Sequence, residues 1–160
     1  NSPWKGGDHR MRLRDLFTAE SVALNLEGES KDQILKELIS LLALDEKSEA
    51  ILFKTLKRRE NLGSTGIGKG IAIPHCRSLV VNRLRLAYGR KPEGVDFRAI
   101  DGHLVHNFFL IVAPPLEVSN QYLPVLGKIA QFAKDPEVPA LLKGLDSAEG
   151  FLQLLETRAT

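Results

Sequence analysis

The stretch NLGSTGIGKGIAIPH, Asn61 to His75, holds four glycines, two hydroxyls, one lysine and a histidine directly after a proline. Such a composition suits phosphate, and two architectures compete for it. A P-loop needs Gly, four residues, Gly, Lys and then Ser or Thr, and it joins a strand to a helix. Gly63 to Lys69 meets that spacing, but Gly70 stands where the magnesium-binding hydroxyl belongs. The surroundings are reversed as well. A charged helical pattern precedes the loop, and a short strand-like run, IAIPH, follows it. The stretch therefore reads as a loop feeding a strand that ends at His75, and specific nucleotide binding is not expected.

Upstream, Ser21 precedes VALNLE, whose apolar and polar residues alternate as in a half-buried strand. Ser30 with Gln33 three residues on forms a capping box. Ile34, Leu35, Leu38, Ile39 and Leu42 then follow at helical spacing. A second helix is expected from Ser48 to about Arg59, with Ile51, Leu52 and Leu56 on its core side. Lys57, Arg58 and Arg59 fall in its last turn, where cations suit the helix dipole. Downstream, Arg83 to Tyr88 alternates as a strand, and Lys91 to Gly94 and Asp101-Gly102 read as turns. Residues 105–113, VHNFFLIVA, form a buried strand closed by Pro114 and Pro115. Helical patterns cover Leu123 to Phe132 and Ala148 to Leu155, with a shorter one near Val138 to Leu142. Pro124 requires the first of these to start no earlier than about Gln121, or to kink. The class is α/β, a mixed β-sheet flanked by helices.

The chain of 160 residues fits one compact domain, with 43% hydrophobic and 26% charged residues. Residues 1–10, NSPWKGGDHR, have no period and read as an expression scar or linker, which leaves 11–160 as a single domain and His9 outside it. A net charge of +2 with scattered basic residues argues against nucleic acid. No apolar run approaches the ~20 residues needed to cross a bilayer, so direct membrane insertion is not expected. Cys76 is the single cysteine, which rules out an internal disulfide and suits a reducing, cytoplasmic setting.

His75 carries the chemistry. Imidazole titrates near neutrality and is a nucleophile at pH 7, so attack on phosphorus would give a phosphohistidine. Donors for the phosphoryl oxygens are at hand in the hydroxyls of Ser64 and Thr65 and in the loop amides, that of Gly66 among them. Arg59 or Lys69 could supply a cation. Pro74 fixes the backbone immediately before the ring.

The run RRENLGSTGIGKGIAIPHC resembles the active-site signature of the mannitol/fructose class of enzyme IIA in the bacterial sugar phosphotransferase system, a class that includes the nitrogen-related regulatory member. Glu60, Ile67, Gly68, Ile71, Ala72, Ile73, Pro74, His75 and Cys76 fill every place of that signature. The resemblance runs from about Arg12 onward, and VDFRAIDGHLVHNFFLIVAP is similar to the family's aspartate-glycine turn and core strand. It implies a mixed sheet between helical layers and no metal or organic cofactor. It also implies that His75 accepts a phosphoryl group from the histidine phosphocarrier protein, with Arg59 and Thr65 beside it. The onward partner would be a downstream enzyme IIB domain or a regulated protein.

The family often carries a second histidine at the start of the helix after the core strand. Here that stretch is SNQYLPVLGKIA, and the matching position is Tyr122. Tyrosine donates a hydrogen bond but carries no positive charge. Either transfer proceeds with a weaker anion partner, or the domain has become a regulatory binding module. His103 and His106 are not expected to replace the missing ring, nor to hold a metal, and Cys76 is expected to face away from His75.

Overall fold

The computed structural model describes residues 12–116 and 120–159, so the reading of residues 1–10 as a scar or linker lies outside the described residues. The chain enters through two short 3-10 turns, Leu13–Leu16 and Ala19–Ser21. Leu13 and Phe17 are already in the core, and Phe17 meets Phe151 edge to face at 5.3 Å. Among the described residues six strands and five helices follow: β1 Val22–Ala23, α1 Lys31–Ser40, α2 Glu46–Leu62, β2 Gly66–Gly68, β3 Ile71–Ala72, β4 His75–Arg77, β5 Arg85–Val95, β6 Val105–Ala113, α3 Tyr122–Lys134, α4 Val138–Lys143 and α5 Ala148–Arg158.

The sheet is mixed. Its order is β1-β5-β6-β3-β2, with β4 also pairing β6. β5 and β6 are antiparallel, whereas β1 on β5 and β3 and β4 on β6 are parallel. β6 is the centre, and every residue in it except His106 is buried. A strand covered on both faces needs such a continuous apolar run. Its side chains alternate between two cores. Phe108, Leu110 and Val112 face α1 and α2 with Leu35, Leu38, Leu52 and Leu56. Phe109 and Ile111 face α3, α4 and α5 with Val125, Ile129, Leu142 and Phe151. Phe108 and Phe109 are each fully buried, worth about 1.5–3 kcal/mol apiece in apolar area removed from water. The expected α/β class, a mixed sheet with helices on both faces, is what forms.

Several local expectations change. The strand expected at VALNLE shrinks to two residues; beyond it Arg90 Nε donates to the Leu24 carbonyl at 3.0 Å and the Leu26 amide donates to the Arg90 carbonyl at 2.8 Å. Ser30 caps α1 by accepting from the Gln33 amide, but the Gln33 side chain accepts from Glu29, one residue before the reciprocal partner of a capping box. α2 starts earlier and ends later than expected, since Asp45 caps it through the Ser48 amide at 2.7 Å. Its buried stripe is Leu52, Leu56 and Glu60, and Ile51 is turned outward. Lys91 to Gly94 is not a turn. It is a bulged part of β5, where the register on β6 moves from Arg90↔Asn107 to Val95↔Val105. The bulge accommodates Pro92 in a strand and lets Gly94 adopt a φ of 80°. In α3, Tyr122 is the first helical residue and Pro124 the third, a place where the missing N–H has no intrahelical acceptor to lose.

Candidate functional site

His75 opens β4, beside Ile111 of β6, and the Ile111 amide donates to the Pro74 carbonyl at 2.9 Å. The sheet thus holds the backbone on which the ring is mounted. The ring is fixed locally too. His75 Nδ1 lies 2.6 Å from the Ile73 carbonyl oxygen, a contact that a protonated Nδ1 satisfies as donor. That places the free lone pair on Nε2. Burial pushes the imidazole below its ordinary value of 6.5, and Arg59 pushes the same way, while the Ile73 bond and Glu60 pull it part of the way back. The net shift favours the neutral, nucleophilic ring at pH 7. Titration of the ring protons by NMR is therefore expected to show a midpoint below 6.5. A midpoint above it would mean that Glu60 and Ile73, rather than burial and Arg59, govern the ring.

His75 lines an open cleft of about 390 Å³ with Arg58, Arg59, Arg77, Cys76 and Tyr122, and with Leu62, Leu123 and Leu126 on its apolar side. The cleft lies between the C-terminal end of α2 and the N-terminal end of α3. Arg59 donates to the Gly63 carbonyl at 2.7 Å, which answers the negative end of α2. The start of α3 contributes the positive end of a helix dipole, an arrangement that suits an anion. Arg58, Arg59 and Arg77 thus share one cleft with His75, and Arg59 acts on the charge of the ring.

Tyr122, the first residue of α3, lines the same cleft as His75. Its ring centroid is 6.3 Å from that of His75. Burial is the main cause that pushes its phenol up to about 12, so it stays neutral near pH 7. The Arg77 guanidinium stacks 4.5 Å over the Tyr122 ring and donates to the Pro114 carbonyl at 3.0 Å. A fixed positive charge therefore stands over the tyrosine. Arg77 was not among the residues expected at the site, although the signal was present. In an extended strand, residues two apart share a face, and His75, Cys76 and Arg77 alternate half-buried, buried and half-buried. Cys76 faces the α1–α2 core as expected, with burial raising its thiol to about 12, so it is no thiolate.

The glycine loop plays another part. Thr65 donates through both its amide, at 3.2 Å, and its hydroxyl to the Glu60 carboxylate. Ser64 donates its hydroxyl to the Phe97 carbonyl at 2.6 Å and accepts from the Gly66 amide at 3.0 Å. These groups of Ser64, Thr65 and Gly66 are thus engaged by Phe97, Glu60 and Ser64 in turn, and none of the three residues lines the cleft around His75. Lys69 sits at the tip of the β2–β3 hairpin, away from that cleft, in a turn where Gly68, Lys69 and Gly70 all have positive φ. Of the two candidate cations, Arg59 is the one at His75. Glu60 anchors the assembly. Its side chain is 1% exposed and pairs with Lys31 at 2.9 Å while taking both Thr65 donors.

An imidazole tied at one nitrogen, on one cleft with arginines at a helix mouth, is an arrangement that suits an anion. Residues 15–157 match the family described as "Phosphoenolpyruvate-dependent sugar phosphotransferase system, EIIA 2", and the chain belongs to it. It is 33% identical over 147 residues to a nitrogen regulatory protein of Pseudomonas aeruginosa, covering 91% of this chain and 95% of that one. It is 30% identical over 152 residues to the fructose-specific EIIABC component of Bacillus subtilis, covering 91% of this chain but spanning only 23% of that longer protein. The crystal structure of the nitrogen regulatory protein IIA-Ntr from Neisseria meningitidis superposes with a TM-score of 0.81 at 32% identity, covering 89% of this chain and 98% of that one. Membership places the chain in phosphotransfer, or its regulation, within that system. Among the described residues no helix is long and apolar enough to cross a membrane.

Proposed function

We propose that this domain accepts a phosphoryl group on Nε2 of His75 from the histidine phosphocarrier protein and passes it to a downstream enzyme IIB domain. The carrying observation is the Nδ1 contact with Ile73 at 2.6 Å, which commits the other nitrogen to chemistry. The Nε2 lone pair attacks phosphorus, a new N–P bond forms as the donor's N–P bond breaks, and the donor imidazole leaves with the bonding pair. Nδ1–H keeps its hydrogen bond to Ile73, which steadies the positive charge gained by the ring. Arg58, Arg59 and Arg77 border the incoming oxygens. Ser64, Thr65 and Gly66 act one step back, by holding the loop that carries the strand to His75. Leu62 and Leu123, both on the cleft and largely exposed, offer an apolar rim for a protein donor. We assign the work to the cytoplasm, and residues 11–160 to a single such domain.

Arg77 is expected to supply the charge that a second histidine would have brought. Arg77→Gln is predicted to slow transfer about tenfold, equivalent to about 1.4 kcal/mol of transition-state stabilisation. Single-turnover transfer from the phosphorylated carrier measures it, and an unchanged rate would remove Arg77 from the mechanism. A second reading keeps the site but makes partner contact the output. It rests on the neutral, buried Tyr122 beside His75. Incubation with phosphoenolpyruvate, enzyme I and the phosphocarrier protein, followed by intact mass, separates the two. One acid-labile, base-stable phosphoryl group supports transfer, and an unmodified mass supports the binding module.

A further inference from the structure

A second cavity, of about 450 Å³, lies on the α4 side of the sheet and is lined by Lys69, Arg90, Pro92, His106, Asn107, Pro139, Ala140 and Lys143. None of these residues lines the His75 cleft. Arg90 and Asn107 are register partners on β5 and β6 and form the floor. α4 supplies Pro139, Ala140 and Lys143, the β2–β3 tip supplies Lys69, and the β5 bulge supplies Pro92.

The charge of this cavity is one-sided. Lys69, Arg90 and Lys143 border it, no carboxylate lines it, and none of the three has an ion pair among the described residues. Arg90 donates only to carbonyls, those of Leu24, Leu142, Lys143 and Leu145, so its charge is held in place without being neutralised. Asn107 is 5% exposed. Its Oδ1 accepts the Tyr88 hydroxyl at 2.6 Å, which leaves the side-chain N–H2 without a partner among the described residues. An unpaired buried donor costs free energy unless something in the cavity accepts from it. The His106 ring is positioned by its Nδ1 contacts with the Lys91 and Pro92 carbonyls at 3.2 and 3.1 Å. A Cβ on Gly94 would come within 2.7 Å of that ring and one on Gly70 within 3.3 Å, so both glycines make room for it.

We propose that this cavity is a binding site for a small organic anion, a phosphate ester or carboxylate with a compact body. The anionic end would meet Lys69, Arg90 and Lys143 and accept from Asn107. Pro92, Pro139 and Ala140 would cover the body. The size and the mix of apolar wall with a few fixed polar groups are those of small-molecule sites. The proposal does not depend on phosphorylation of His75.

The test is an amide NMR titration of the full chain with phosphoenolpyruvate and with glycerol 3-phosphate, using glycerol as the neutral control. Saturable shifts are expected at the Asn107 side-chain amide, Gly70 and His106 in the millimolar range or tighter, and none with glycerol. Lys69→Gln and Lys143→Gln change exposed side chains and are each expected to weaken binding about fivefold to tenfold, the loss of one charge-assisted contact. Three results would overturn the proposal: absence of saturable shifts, equal shifts with glycerol, or shifts confined to His75, Arg77 and Tyr122. Equal affinity of both lysine variants and the parent would do so too.

Discussion

His75→Ala takes up no phosphoryl group from the phosphorylated carrier, while its fold and unfolding midpoint stay close to those of the parent. Loss of all labelling is expected because no other nucleophile at the cleft is suitably placed. The Cys76 thiol is buried against α1 and α2 and is raised to about 12, and the Tyr122 phenol is also raised to about 12, so both remain protonated near pH 7. The arginines bind anions but do not attack phosphorus. The ring is half-buried at the end of the sheet rather than in either core, so its removal leaves no core cavity of consequence. Intact mass reads the modification and urea unfolding reads the fold. Labelling equal to that of the parent would place the phosphoryl group elsewhere.

The second large effect concerns stability. Glu60→Ala removes a carboxylate that is 1% exposed and serves three donors: Lys31 Nζ, the Thr65 amide and the Thr65 hydroxyl. The remaining Lys31 ammonium, held 4.5 Å over the Phe97 ring, would lose its only anionic partner among the described residues. Breaking a buried pair by deleting one member costs roughly 3–5 kcal/mol, more than the pair itself contributes against an apolar replacement. Two orphaned Thr65 donors act in the same direction. Urea unfolding is expected to show a loss of that size for Glu60→Ala and a smaller one for Glu60→Gln, which keeps an acceptor. A loss below about 1 kcal/mol for the alanine variant would mean that water replaces the carboxylate and that the loop is not anchored there.

These two residues also show how far the sequence could be read. The fold was accessible because its strongest signals are local: the unbroken run of β6, the capped start of α1, and glycines that exclude a P-loop through Gly70. Boundaries that depended on tertiary partners were not. The irregular path after β1 involves Arg90, far along the chain, which bonds both the Leu24 carbonyl and the Leu26 amide. The bulge at Lys91–Gly94 looked like a turn because proline and glycine mark both, and only the register with β6 distinguishes them. Within the site, His75, Arg59 and Tyr122 line one cleft. A hydroxyl in a glycine loop serves the loop as readily as a ligand, and here that of Thr65 is taken by the buried Glu60 and that of Ser64 by the Phe97 carbonyl. Arg77 lies outside the glycine loop and reaches the cleft only through the two-residue period of β4 after His75.

The central claim is that Nε2 of His75 is the phosphoryl acceptor, because Nδ1 is committed to the Ile73 carbonyl. NMR of the phosphorylated protein, correlating the two imidazole nitrogens with the ring protons and with phosphorus, tests this directly. The predicted result is phosphorus coupled to Nε2, with Nδ1 still protonated. Phosphorus on Nδ1, or on any residue other than His75, would contradict the account.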